Sequence, residues 1–196
     1  MSADAEPAQA NPLEGRGAPE KQLFMGKKER RRSSSAKGLF GDGLKLESNE
    51  EVMKVLTAAG DRKVLFSDEV MKVNKRLKTQ KRVLAVTDQA VCSITPSSLI
   101  VKRRIPFQEL GAINLSCLTD NFFALRVPSE YDYLMVSARK TEIVVVVTEA
   151  YKKAIGRPLP VNFANTFEYR IDEKKTREIR FVEVEGGVST QIFTKQ

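Results

Sequence analysis

Seven short runs of β-branched and aromatic residues, followed by one stretch with helical periodicity, restrict the folds open to this chain more than any other feature. The runs are Val70 to Asn74, Val83 to Thr87, Ala90 to Thr95, Ile100 to Pro106, Ala112 to Cys117, Phe122 to Val127 and Tyr133 to Ser137. Polar breaks at Thr87-Asp88-Gln89, at Pro96-Ser97-Ser98 and from Ser129 to Asp132 supply the turns. A spacing of about ten residues suits an antiparallel meander. The pattern changes in RKTEIVVVVTEAYKKAIG, where Ile143, Val146, Val147, Ala150, Tyr151 and Ala154 share one helical face. This predicts one amphipathic helix from about residue 140 to Ile155, stopped by Gly156 and Arg157-Pro158. The run of β-branched residues inside it keeps a strand open as the rival reading.

Seven strands and then one helix is the element order of a pleckstrin-homology-like domain. The expected fold is therefore mainly β with an α cap: an antiparallel barrel or sandwich, a C-terminal helix and extra C-terminal strands. The 196 residues, 41% hydrophobic and 30% charged, allow one such domain with a proper core. Residues 1–37 read as a disordered arm, because their first twenty are rich in Ala, Pro, Gly and Glu. Residues 38–196 read as the folded unit, with the pleckstrin-like core at about 62–156 and a strand extension at about 164–196.

Several chemistries drop out. The chain has no histidine, which removes the commonest general base and zinc ligand together. Cys92 and Cys117 both lie in apolar, strand-like segments and read as small buried hydrophobes. Asp61, Asp68, Glu69, Asp120 and Asp132 sit near expected turns without a nucleophile, metal shell or cofactor loop beside them, so no enzyme, metal or cofactor is expected. The apolar run Ile143 to Val147 is far short of the ~20 residues that a bilayer span needs. No leader h-region or lipidation motif is visible, which points to a cytoplasmic protein.

The formal charge of +8 favours an anionic partner. The strongest local signal is VMKVNKRLKTQKRVLAVT (residues 70–87), which gathers Lys72, Lys75, Arg76, Lys78, Lys81 and Arg82 around one hairpin. A tight turn makes such side chains converge, and convergent ammonium and guanidinium groups bind phosphate far better than scattered ones. On the strand from Ile100, Lys102 and Arg104 share a face and form an auxiliary pair. Lys174, Lys175, Arg177 and Arg180 read as a charged hairpin turn. Nucleic acid is a weak candidate partner, because the hairpin lacks interleaved aromatics for base stacking.

Blocks spread over most of residues 26–184 resemble the tail-homology-1 domain of class I myosins. They are GKKERRRSS ahead of LFGD (Leu39 to Asp42), the stretch Lys63 to Val91, KRRIPFQEL (Lys102 to Leu110), LTDNFFALRVP (Leu118 to Pro128), Tyr131 to Val144, and LPVNFAN (Leu159 to Asn165). The resemblance implies a pleckstrin-like core and binding to anionic phospholipids, phosphatidylserine and phosphoinositides included. It also implies a clamp built from a Lys ending the first strand and a K/R-x-R opening the second. Lys72 and Arg82 match that pattern, whereas Gln80 departs from it and Lys81 is adjacent instead. No GxxxxGK[ST] loop is present, and the expectation is a tail domain standing alone without a motor. The alternative function is an adaptor of the cortical actin and myosin system.

The arm adds a second attraction. GKKERRRSSSAK carries Lys27, Lys28, Arg30, Arg31, Arg32 and Lys37 against Glu29 alone, so it can lie on an anionic leaflet without folding. Ser33, Ser34 and Ser35 follow three arginines and suit a basophilic kinase, whose phosphates would weaken that attraction.

Overall fold

The computed structural model describes residues 22–29, by backbone alone, and residues 41–194. Strand β1 (Gln22–Glu29) is followed by a 3-10 turn (Leu46–Ser48) and helix α1 (Glu50–Ala58). Seven strands come next: β2 (Val64–Val73), β3 (Thr79–Thr87), β4 (Ala90–Ile94), β5 (Val101–Pro106), β6 (Ala112–Leu115), β7 (Phe122–Arg126) and β8 (Tyr133–Val136). Helix α2 (Lys140–Ile155) and strands β9 (Val161–Phe163), β10 (Thr166–Arg170), β11 (Thr176–Val184) and β12 (Gly187–Thr194) complete the described chain. One sheet has the order β5-β4-β3-β2-β8-β7-β6-β9, antiparallel throughout except for the β6–β9 pair, and the other runs β1-β12-β11-β10. The fold is thus mainly β and pleckstrin-homology-like, with seven strands followed by a helix as expected.

Strand alternation divides the interior into three cores. On β3, Leu84 and Val86 face the main core with Phe66, Val70, Ile105, Phe107, Phe123 and Met135. Helix α2 closes that core with Ile143, Val147, Ala150 and Tyr151, and Tyr151 meets Phe107 edge to face at 5.9 Å between ring centres. Burying side chains of this size contributes roughly 1.5–3 kcal/mol each. The valine run is therefore helical: tertiary burial of one stripe outweighs its β preference, and Gly156 at φ 81 ends the helix. Ala154, placed on the apolar face by its spacing, is exposed.

The opposite face of β3, with Val83 and Ala85, packs under α1 through Val52 and Leu56. This helix had no counterpart in the sequence reading. Its N-terminus is capped by Asn49, whose side chain accepts from the Val52 amide at 3.0 Å. A third core joins the two sheets, with Val73, Ala124 and Leu134 on one side and Phe167, Tyr169, Ile179, Phe181 and Ile192 on the other.

Two expectations need correction. Gln22–Glu29 lies inside the stretch read as a disordered arm, yet its backbone pairs antiparallel with β12 from Phe193 to Gly187. The pairing satisfies an edge of β12 that no local pattern announces. Cys92 is buried but Cys117 is exposed, because β6 ends at Leu115. No helix among the described residues is long and apolar enough to cross a membrane.

Candidate functional site

The β2–β3 register builds the site. Lys72 lies opposite Gln80 and Val70 opposite Arg82, so Lys72, Gln80 and Arg82 share the face that Val70 turns into the main core. Where the apolar row ends, that face carries cations at the mouth of the sheet. Lys81 lies opposite Met71 on the reverse face, where its Nζ is 3.0 Å from Glu69 Oε2.

Two tyrosines line the mouth. The Lys72 Nζ stands 4.5 Å from the Tyr133 ring centre and 5.8 Å from that of Tyr131. Tyr133 is itself fixed, donating its hydroxyl hydrogen to Ser93 Oγ at 2.6 Å. Arg103 on β5 stacks its guanidinium 3.9 Å above Tyr131 and donates through Nη2 to Glu130 Oε2 at 2.9 Å and to the Tyr131 carbonyl at 2.7 Å. Its Nε and Nη1 are buried without a hydrogen-bond partner. Burial first, then the charges of Arg82, Arg103 and Lys75, lowers the Lys72 pKa from 10.5 to about 8. Among the described residues no carboxylate stands within ion-pair distance of Lys72 or Arg82. Four cations thus share one small region; Glu130 and Asp172 pair with two of them, and Asp132, which also lines the adjoining groove, is taken up by Arg126 at 3.0 Å.

The hairpin loop has a defined shape. Asn74 Oδ1 accepts from the amides of Arg76 at 2.8 Å and Lys78 at 3.0 Å, and Leu77 takes a left-handed φ of 60 while packing into the inter-sheet core. Lys75 reaches both the Tyr131 ring, at 5.8 Å, and Asp172 Oδ2, at 3.9 Å. Beside the loop lies a groove of ≈ 350 Å³ lined by Lys72, Lys75, Arg76, Gln80, Tyr131 and Tyr169 among others.

The structure brings together Lys72, Lys75, Arg76 and Arg82 from the expected set, places Lys78 exposed at the loop stem, and sends Lys81 elsewhere. Of the auxiliary pair, Lys102 is exposed and Arg104 is committed to Asp61, with Nε to Oδ2 at 2.7 Å. Arg103, Tyr131 and Tyr133 were missed. The signal for Arg103 was available: Ile105 and Phe107 are apolar at alternate positions, so Arg103 shares the inward face. Lys27 and Lys28 stand in β1 opposite Ser189 and Val188, while Arg30, Arg31, Arg32 and Ser33 to Ser35 lie outside the described residues. No group of three or more His, Cys, Asp or Glu among the described residues is placed to hold a metal ion.

The strand order and the capping helix define a pleckstrin-homology-like domain, with a cationic mouth at the open end of its larger sheet. The sequence model of a family described as "Unconventional myosin tail, actin- and lipid-binding" matches residues 30–196, and the chain belongs to that family. It is 34% identical over 173 residues to myosin heavy chain IB of Acanthamoeba castellanii, a match covering 84% of this chain and 15% of that one. With the myosin IA heavy chain of Dictyostelium discoideum it shares 32% identity over 177 residues, 84% of this chain and 18% of that one. The chain therefore spans less than a fifth of the length of these relatives. The N-terminal PH domain of human ARAP2 overlays 44% of this chain and 77% of its own with a TM-score of 0.37 at 14% identity. The fold class rests on the strand order described above.

Proposed function

We propose that this chain is a peripheral membrane-binding module that recognises anionic phospholipids, phosphoinositides in particular, through the mouth formed by Lys72, Arg82 and Arg103, with Lys75 and Arg76 above it. The observation that carries this reading is Lys72: half-buried between two tyrosine rings and surrounded by like charges, it is held in a state that an incoming phosphate would relieve. The departure at Gln80 costs one cation of the implied clamp, and Arg103 supplies another from β5. The basic stretch at residues 27–37, whose first two cations lie on β1, adds an electrostatic attraction of about 1 kcal/mol per cation near an anionic leaflet, open to weakening by phosphate at Ser33, Ser34 or Ser35. Its place is then cytoplasmic, peripheral at the plasma membrane, at endomembranes or at the cell cortex.

The family description also names actin, so a cytoskeletal protein partner is the second reading. Sedimentation of the full chain with neutral, phosphatidylserine and phosphoinositide vesicles of matched charge at physiological salt tests the first. A preference for phosphoinositide over phosphatidylserine supports the pocket, and binding that tracks total charge alone overturns it. Cosedimentation with filamentous actin, with and without vesicles, tests the second.

A further inference from the structure

The inner face of the second sheet carries a row of apolar side chains that ends in a cation. Phe181 and Ile179 pack against the outside of the larger sheet, and the next residue on that face of β11 is Arg177, directly opposite Tyr169 on β10. Its Nη2 donates 2.7 Å to the backbone carbonyl of Lys75, 102 residues away in sequence. The Nη1 is buried and has no hydrogen-bond partner. Tyr169 beside it is buried and lines the groove under the loop; burial pushes its phenol up, and the adjoining Arg177 guanidinium, as a neighbouring donor first and a charge second, opposes that push. Two residues further round the same loop, Leu77 packs into the apolar row that Arg177 terminates. The loop that carries Lys75 and Arg76 is therefore tied to the second sheet at a carbonyl and at a side chain.

We propose that Arg177 is a positioning residue for the anion site: by fixing the Lys75 carbonyl it sets the distance and direction of the loop cations relative to Lys72. Without it, Asn74 from within, Leu77 from the apolar row and the Lys75–Asp172 pair at 3.9 Å would still hold the turn, but the Lys75 carbonyl would lose its fixed direction, and the cations on either side of it would sample more positions. A flexible loop still attracts anionic surfaces by net charge, but it loses the fixed spacing that separates a clustered phosphate headgroup from dispersed charge. The inference rests on the membrane-binding reading above and gives the C-terminal strands a part in it. It also sets Arg177 apart from Lys174 and Lys175, which are exposed at the turn.

The experiment compares wild-type full chain with Arg177→Met and Arg177→Gln. Binding is measured to phosphoinositide vesicles and to phosphatidylserine vesicles of equal charge, alongside hydrogen exchange of the amides at 74–78 and thermal midpoints. Arg177→Met should exchange faster in the loop and bind phosphoinositide about tenfold more weakly, the worth of one hydrogen bond to a charged group. Phosphatidylserine binding should fall far less. Arg177→Gln keeps a donor for the Lys75 carbonyl and should retain most of the loop protection and the preference, which also decides the matter if the Met variant does not fold. A folded Met variant with wild-type preference overturns the inference, as does a Gln variant that loses the preference, or a Met variant whose two affinities fall together with its midpoint. Absence of any phosphoinositide preference in the wild type would instead defeat the membrane-binding reading itself.

Discussion

Arg103 and Arg104 are neighbours on one strand and end in opposite electrostatic regimes. Arg104 turns outward, where its Nε and Nη2 meet both oxygens of Asp61 at 2.7 and 3.0 Å, and Asp61 also accepts the Thr87 hydroxyl hydrogen at 2.7 Å. That carboxylate is 1% exposed, and it holds the Arg104 guanidinium more firmly protonated than usual. Arg103 turns inward to the mouth, where its company is Lys72 and its one carboxylate, Glu130, is half exposed. The same residue type on the same strand is held by a buried carboxylate on one face and, on the other, by a half-exposed carboxylate beside further cations. Uncompensated charge is costly to bury, and Lys72, half-buried with no carboxylate among the described residues in ion-pair distance, is why the proposed anion site is placed at this end of the molecule.

The sharpest way to break this comparison is to truncate both arginines in turn. Arg104→Ala strands a fully buried carboxylate and should cost about 3–5 kcal/mol in urea unfolding, while the folded protein keeps its headgroup preference. Arg103→Ala should cost less, about 1–2 kcal/mol, because it removes a stack on Tyr131 and a hydrogen bond but strands no buried carboxylate, and it should weaken phosphoinositide binding as well. Equal stability losses would mean that the two arginines are both structural. A Lys72→Ala/Arg82→Ala variant comes next, with about 2–4 kcal/mol of phosphoinositide affinity lost and no loss of unfolding free energy, since like-charge repulsion is removed. If that variant still prefers phosphoinositide in vesicle sedimentation, the mouth is not the site.

The two regions also differed in how readable they were. Local alternation located the strands and the face of Lys72 and Arg82, because buried neighbours such as Val70 and Leu84 mark that face within two residues. Strand β2 begins at Val64 instead of Val70, since Asp68 and Glu69 interrupt the apolar pattern of one continuous strand. The pairing of β1 with β12, the packing of α1 and the grip of Arg177 on Lys75 join distant stretches, and no periodicity reports such contacts. Arg104 looked like a surface cation because its partner Asp61 lies 43 residues earlier, and only the fold brings them together.

Acidity offers a further test of the mouth. The Lys72 pKa is lowered to about 8, so its charge is nearly complete at pH 7 and falls to roughly one molecule in ten at pH 9. Phosphate monoesters are already doubly ionised above about pH 6, so the ligand contributes little change over this window. An anion favours the protonated amine, hence affinity should fall as pH rises through about 8, by up to roughly tenfold between pH 7 and 9. Lys72→Met should flatten that profile, whereas an unchanged slope would assign the titration to another group.

The smallest expected effect comes from Lys81, the one hairpin cation that faces away from the mouth. Its ion pair with Glu69 is exposed on both sides, with 66% and 50% of the side chains accessible, and pairs of this kind contribute less than about 1 kcal/mol. Lys81→Ala should therefore leave stability nearly unchanged and reduce binding to every anionic vesicle alike, by about threefold or less and with weaker effect as salt rises. A selective loss of phosphoinositide binding as large as that of Arg82→Ala would show that the reverse face of β3 also reads the headgroup. Charge on the hairpin would then matter more than the face that presents it, and the contrast between Arg103 and Arg104 would reduce to a difference in stability alone.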